Sequence, residues 1–146
     1  MRRNERRQRW NDEDDERIRV LVECSPADSP AIVARSLERE GYDVRTCTGP
    51  TDVACDLDRH GACDLVDGAD VVVNLLEGDH GHALAARVAA ARRPPAVVAQ
   101  VRVAPGEQLP SADEGSVVLV RSPTTRRALL RAIDDALTAS STVHRA

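Results

Sequence analysis

Two cysteines and two histidines fall where a predicted parallel sheet would bring them to one edge. Cys24 and Cys47 each follow or close a predicted strand, and His80 and His82 follow the next strand along the chain. Two thiolates and two imidazoles form a ligand set that suits zinc. The sequence therefore allows a thiol- or metal-based sensor, in which Cys24 and Cys47 would either bind an ion or switch redox state.

The spacing of these residues does not support a standard zinc knuckle. No pair of them has a CxxC or HxxxH spacing. Cys55 and Cys63 would make the site thiolate-rich, but eight helical residues would separate them by about 12 Å. The alternative interpretation is that the cysteines are small buried residues and the histidines are solvated beside a glycine turn. A disulfide between the first two cysteines would require α-carbons within about 7 Å.

Asn74 and Gln100 place side-chain amides near the ends of two further predicted strands. In open parallel sheets ligands bind at the carboxyl ends of the strands, so these amides could hydrogen-bond a small molecule there. A dinucleotide is disfavoured because the turn at residues 24–28 has no glycine and carries an acid that would repel a pyrophosphate. We expect no cofactor.

Composition excludes several classes of function. All 20 basic residues are arginine, so no lysine is present for a Schiff base, for pyridoxal phosphate or for a phosphate-binding loop. The net charge of −4 disfavours nucleic acid and membrane surfaces as partners. Neither a membrane span nor a secretory signal is evident, so we expect a cytoplasmic protein whose cysteines are free thiols or metal ligands and not disulfides.

The element that would position these residues is the apolar stretch at residues 70–76, DVVVNLL. An unbroken apolar run without alternation is typical of a strand that is buried on both faces, and such strands belong to parallel sheets covered by helices. The polar groups just after this strand, Asn74 and the loop at residues 77–82, are therefore the first candidates for function.

The rest of the chain alternates strand and helix patterns. Pro30, in the first turn of a helix capped by Asp28 or Ser29, and Gly41, at its end, frame the first helix. This pattern predicts an α/β, flavodoxin-like, doubly wound sheet of five parallel strands in the order 2-1-3-4-5. The other strands are predicted at 17–23, 42–47, 96–101 and 116–121, and the other helices at 51–60, 82–93 and 124–137.

Domain boundaries follow from charge and periodicity. Residues 1–16 hold a basic block and an acidic block around Trp10 and predict a disordered arm, because such segments bury too little apolar surface to order themselves. Residues 17–138 form the predicted domain, and residues 139–146 a flexible tail.

Three stretches of this layout resemble the receiver domains of two-component response regulators. They are VLVECSPADSPAIVARSLEREGYDV, the 70–74 strand followed by Gly78 and Gly81, and SPTTRRALLRAIDDAL. The resemblance implies a receiver-like fold. It also implies a cis peptide before Pro123, because the matching X-Pro bond of receivers is cis.

The resemblance further implies that the phosphoryl chemistry of receivers has been lost. Receivers use two acids after the first strand for Mg²⁺, an aspartate after the third, a hydroxyl after the fourth and a lysine after the fifth. A metal and a fixed cation neutralise the transferring phosphoryl group while a carboxylate attacks it. The matching positions here are Glu23 and Cys24, then Asn74 or Leu75, then Gln100, then Ser122.

An arginine cluster on the last predicted helix is a candidate interaction face. Arg126, Arg127 and Arg131 fall on its outward side, and Arg121 closes the preceding strand. They predict either a docking patch for an acidic protein partner or an ordinary solvated face. In receivers the corresponding face also mediates dimerisation, so the resemblance makes a homodimer an option here.

These observations predict a protein that is not an enzyme. The favoured interpretation is a non-catalytic, receiver-like regulatory or protein-interaction module. Two alternatives remain open at this point. One is the thiol- or metal-based sensor, and the other is a flavodoxin-like domain that binds a small molecule through its amides.

Overall fold

The computed structural model of the chain describes Trp10 and residues 16–48, 63–91, 93–108 and 117–144. The helix predicted at 51–60 and Cys55 lie outside these residues. In the described part, five parallel strands form one sheet in the order β2-β1-β3-β4-β5. The predicted flavodoxin-like topology is therefore confirmed. The strands are β1 (Arg19–Glu23), β2 (Asp43–Cys47), β3 (Val71–Asn74), β4 (Ala96–Val101) and β5 (Val117–Arg121).

Helices cover both faces of the sheet. The cluster on one face includes Leu37 and Ile133, and the cluster on the other includes Val66 and Leu84. The first and last helices therefore pack on one side of the sheet, and the two middle helices on the other. The helices are α1 (Pro30–Glu38), α2 (Asp64–Gly68), α3 (Gly78–Ala89) and α4 (Arg126–His144).

The central strand is β3, as the apolar run predicts. Val71, Val72 and Val73 are all fully buried, because successive side chains point into the two helix-covered faces. β3 pairs with β1 on one side and β4 on the other, with Glu23 opposite Asn74. The carboxyl ends of these strands therefore lie at one edge of the sheet.

The connection from β1 to α1 differs in detail from the prediction. Residues Pro26–Asp28 form a 3₁₀ turn that is capped by Ser25, whose hydroxyl accepts from the amide of Ala27. Asp28 accepts from the amide of Ser25 instead of capping α1. Ser29 precedes α1 in a left-handed conformation and makes no side-chain capping bond. The predicted role of Gly41 fits its φ of +95° just after the helix.

Two helices differ in position or length from the sequence pattern. α3 begins at Gly78, so the backbone of His80 and His82 lies in its first turns and not in a loop. α4 continues to His144, so residues 139–144 are helical where a flexible tail was expected. Polar residues give no apolar periodicity to detect, but each one added to an existing helix gains a backbone hydrogen bond.

Trp10 in the charged N-terminal arm packs on the domain, which corrects the expectation of a wholly disordered arm. Its indole nitrogen donates to the carbonyl oxygen of Leu65 over 3.0 Å. Its ring lies against Gly68, where a Cβ atom would come within 2.4 Å of the ring carbon Cδ1. The guanidinium carbons of Arg19 and Arg45 lie 5.9 and 5.7 Å from the ring centre, within cation–π range.

The Ser122–Pro123 peptide is cis, as the resemblance implies. No helix among the residues that the structure covers is both long enough and apolar enough to cross a membrane.

Candidate functional site

A cleft of about 530 Å³ opens at the carboxyl edge of the sheet. Its walls come from the segments that follow β1, β3 and β5 and from the end of β4, so it lies where parallel sheets bind ligands. Two of the predicted site residues, Gln100 and Ser122, line it. The full lining is Ser25, Asp28, Val33, Leu75, Leu76, Glu77, Gln100, Arg102, Ser122, Pro123, Thr124 and Leu129.

Asn74 does not line this cleft. Its side chain is 4% exposed, its Nδ2 donates to the carbonyl oxygen of Gly81 over 3.0 Å, and its Oδ1 accepts from the amide of Leu76 over 3.1 Å. Leu75 lines the cleft instead, because consecutive residues point to opposite faces of the sheet. The structure therefore does not favour Asn74 as a ligand-binding amide in this cleft, since that amide holds the turn between β3 and α3.

Glu23 is a buried carboxyl group that lies away from the cleft. It is 2% exposed, and burial raises its pKa from 4.5 to about 8, although a hydrogen bond with Cys47 opposes the shift. Its Oε2 has no hydrogen-bond partner among the residues that the structure describes. Near neutral pH this group is therefore largely protonated.

Cys24 is fully buried in the cluster beneath α1 and α4. Burial, with the negative charges of Asp28 and Glu23, raises the pKa of its thiol to about 11. The thiol is therefore neutral at physiological pH. Its sulfur is not a hard oxygen ligand of the kind that Mg²⁺ prefers, although the resemblance implies a metal-binding acid at this position.

The structure does not favour the alternative in which Cys24 and Cys47 form a redox pair. Cys47 packs against the cluster on the face opposite to the one that contains Cys24, although the backbones of the two residues are hydrogen-bonded. Side chains on opposite faces cannot meet the geometry of a disulfide. His82 is exposed at the start of α3. Within the described residues no three His, Cys, Asp or Glu side chains come together as a metal site.

A chain of hydrogen bonds crosses the mouth of the cleft. Gln100 Nε2 donates to Glu77 Oε1 over 3.2 Å, and Gln100 Oε1 accepts from the Thr124 hydroxyl over 2.6 Å. Arg102 donates to Glu77 Oε2 over 2.8 Å. Both ends of the Gln100 amide are therefore occupied by the protein itself, which does not favour the small-molecule alternative.

Sequence reasoning missed Thr124 and Arg102 in this chain of bonds. Glu77 lies in the loop at residues 77–82, which was already a candidate because it follows the central strand. Residues that follow the other strands lie at the same edge of the sheet, so this rule could also have indicated Thr124 and Arg102. Thr124 follows β5 by three residues, and Arg102 directly follows β4. Their side-chain types carried no further signal.

The four predicted arginines are exposed, and two of them contact other residues of the chain. Arg121 donates to the carbonyl oxygen of Glu107, and Arg126 pairs with Glu40 just beyond α1. Arg127 and Arg131 lie one helical turn apart on the exposed side of α4. Two of the four side chains thus have partners within the chain.

Comparison with known proteins places the fold. No protein-family model and no curated protein matches the chain. Among solved structures, the chain is similar to a response regulator receiver domain protein from Bacillus halodurans, with 17% identity and a TM-score of 0.57 over 83% of this chain and 97% of that one. A response regulator receiver protein from Sinorhizobium medicae has 17% identity and a TM-score of 0.55, over 86% and 98%.

A third similar structure is the signal receiver domain of a modulated diguanylate cyclase from Desulfovibrio desulfuricans. It shares 20% identity at a TM-score of 0.57, over 87% of this chain and 98% of that domain. These likenesses confirm the receiver fold. At identities of 17–20% the similarity supports a shared fold but not a shared activity. Any activity must be inferred from the residues of the cleft.

Proposed function

We propose that this chain is a receiver-like regulatory module that binds a protein partner, accepts no phosphoryl group and catalyses no reaction. The observation that supports this most strongly is Leu75, which lines the cleft directly after β3. Asn74 and Leu75 are the two positions where the resemblance allows the phosphoacceptor aspartate, and Leu75 is the one whose side chain lines the cleft. A leucine side chain has no nucleophilic atom and cannot form an acyl phosphate.

The remaining parts of the cleft agree with this proposal. Phosphoryl transfer needs a metal and a fixed cation to neutralise the charge of the transferring group. Ser122 stands before the cis proline where receivers carry lysine, and the sequence contains no lysine at all. Cys24 is a buried neutral thiol in the place of a metal-binding acid.

The test is incubation with acetyl phosphate and Mg²⁺, followed by intact mass measurement. We expect no mass gain in the wild-type protein. A gain of one phosphoryl group on an aspartate would contradict the proposal. The double variant Leu75→Asp/Ser122→Lys should gain mass slowly and only in part, because it restores a nucleophile and a fixed cation but not the metal-binding acids. The matched variant Asn74→Asp/Ser122→Lys should not gain mass, because residue 74 faces away from the cleft.

We also propose that the chain binds its protein partner in the cytoplasm. Arg127 and Arg131 would contact an acidic surface, since two guanidinium groups on one exposed helix face can pair with carboxylates. Cross-linking and pull-down with wild-type protein should recover a partner that Arg127→Ala/Arg131→Ala loses. Arg126→Ala is the matched control, because Arg126 pairs with Glu40 within the chain. If the double variant still binds the partner, this face of α4 is not the binding surface.

A further inference from the structure

Glu77, at the mouth of the cleft, lies between two helix starts. It is the residue before α3, and its side chain makes no capping hydrogen bond to that helix. The carboxylate turns instead to Gln100 of β4 and Arg102. Through Gln100 the contact reaches Thr124, two residues before α4 begins.

We propose that the Glu77 carboxylate, at the mouth of the cleft, couples the start of α3 to the start of α4 through Gln100 and Thr124. The regulatory meaning of this coupling rests on the proposed function: the α4 side of the domain is held in one arrangement without a phosphoryl group. The coupling itself is independent of that function.

The chemistry of the two neighbours sets the orientation of the Gln100 amide. A carboxylate can only accept hydrogen bonds, so the NH₂ group of Gln100 must face Glu77. The carbonyl oxygen of the amide is then turned toward Thr124, whose hydroxyl donates to it over 2.6 Å. The Thr124 hydroxyl is also 3.2 Å from the carbonyl oxygen of Arg121, at the end of β5. Removing the carboxylate therefore removes the group that orients the whole chain of bonds.

The coupling runs through Gln100 and not through Arg102. Arg102 is 80% exposed, and solvent and salt weaken an ion pair of this kind. The two bonds of Gln100 are partly buried, where hydrogen bonds are less screened. Arg102→Ala is therefore expected to leave the coupling in place.

The test is hydrogen–deuterium exchange measured by mass spectrometry on the full chain. Glu77→Ala should speed exchange about fivefold in the first turns of α4, at residues 126–133, since one lost hydrogen bond changes a local opening equilibrium by roughly that factor. Thr124→Val should reciprocally speed exchange at the start of α3, in residues 78–84. The two effects should be non-additive in the double variant, because they break one connection.

Thr138→Val is the matched control. It removes a hydroxyl that bonds within α4 and lies away from the cleft, so it should leave exchange at 78–84 unchanged. Glu77→Gln keeps the size of the side chain and should shift exchange in α4 in the same direction as Glu77→Ala. If Glu77→Ala changes exchange only near α3 and Thr124→Val changes exchange only near α4, the two helix starts are not coupled. A phosphorylated wild-type protein would instead overturn only the proposed function.

Discussion

The side-chain amide of Asn74 donates to the carbonyl oxygen of Gly81 over 3.0 Å. One buried side chain thus joins the last residue of β3 to the first turn of α3. A Cβ atom on Gly81 would come within 2.3 Å of the carbonyl oxygen of Leu76, so only glycine allows this approach. The turn that follows the central strand is therefore held by an amide and a glycine, with Leu75 left to face the cleft.

Asn74→Asp should destabilise the fold by about 1–3 kcal/mol near neutral pH, because a buried carboxylate would lose the donor and face the Gly81 carbonyl oxygen. Urea denaturation gives the free energy of unfolding. The control is Gln108→Glu, the same amide-to-acid change at an exposed position. An Asn74→Asp protein as stable as the wild type would contradict the role of the amide.

Trp10→Ala should lower the free energy of unfolding by about 2 kcal/mol, since the half-buried indole packs on Gly68 and donates to Leu65. Trp10 is the single tryptophan, so its fluorescence reports this contact directly. Gly68→Ala should shift the emission to the red, because the new Cβ displaces the ring. An unchanged emission maximum in that variant would show that the ring does not lie on Gly68.

Glu23 should make stability fall as pH rises. Burial raises its folded-state pKa from 4.5 to about 8, so the folded protein holds a proton that the unfolded chain releases between those values. The stabilisation is fully present below about pH 4.5 and is lost as pH rises through about 8. Glu23→Gln keeps the shape and removes the titration. The stability difference between variant and wild type, measured across pH 5 to 9, should therefore grow with pH in favour of the variant. A pH-independent difference would refute the shift.

Cys24 should be the least reactive of the three cysteines that the structure describes. A thiol pKa raised from 9.0 to about 11 lowers its thiolate fraction about 100-fold, and the side chain is fully buried. Alkylation with iodoacetamide at pH 8, followed by peptide mass analysis, should modify the half-buried Cys47 and Cys63 first. Denatured protein provides the control, in which all cysteines react. Rapid formation of a Cys24–Cys47 disulfide in the folded protein would contradict their placement on opposite faces.

Much of the fold was readable from local pattern. β4 is confirmed with both predicted bounds, Ala96–Val101, and the central position of β3 follows from three consecutive buried valines. Such runs are informative because a strand covered on both faces has no polar side to interrupt it. The right-handed crossover rule then leaves little freedom in strand order, which is why the predicted 2-1-3-4-5 arrangement is confirmed.

The cleft was less predictable because its content depends on which way single residues point. The sequence left Asn74 and Leu75 as alternatives for one position, and a register shift of one residue exchanges the two faces. The same alternation separates Cys24 from Cys47, although their backbones are neighbours. The contact between Gln100 and Thr124 joins residues 24 positions apart, which no local pattern encodes.

The amino-acid sequence by itself determined the layers, the strand order and the absence of lysine chemistry, because periodicity and composition act locally and over many residues at once. Only the tertiary structure decided that Leu75 faces the cleft, that Glu77 is tied through Gln100 to Thr124, and that Trp10 packs on Gly68. Each of these depends on the direction of a single side chain, and that direction is set by packing between segments that are distant along the chain.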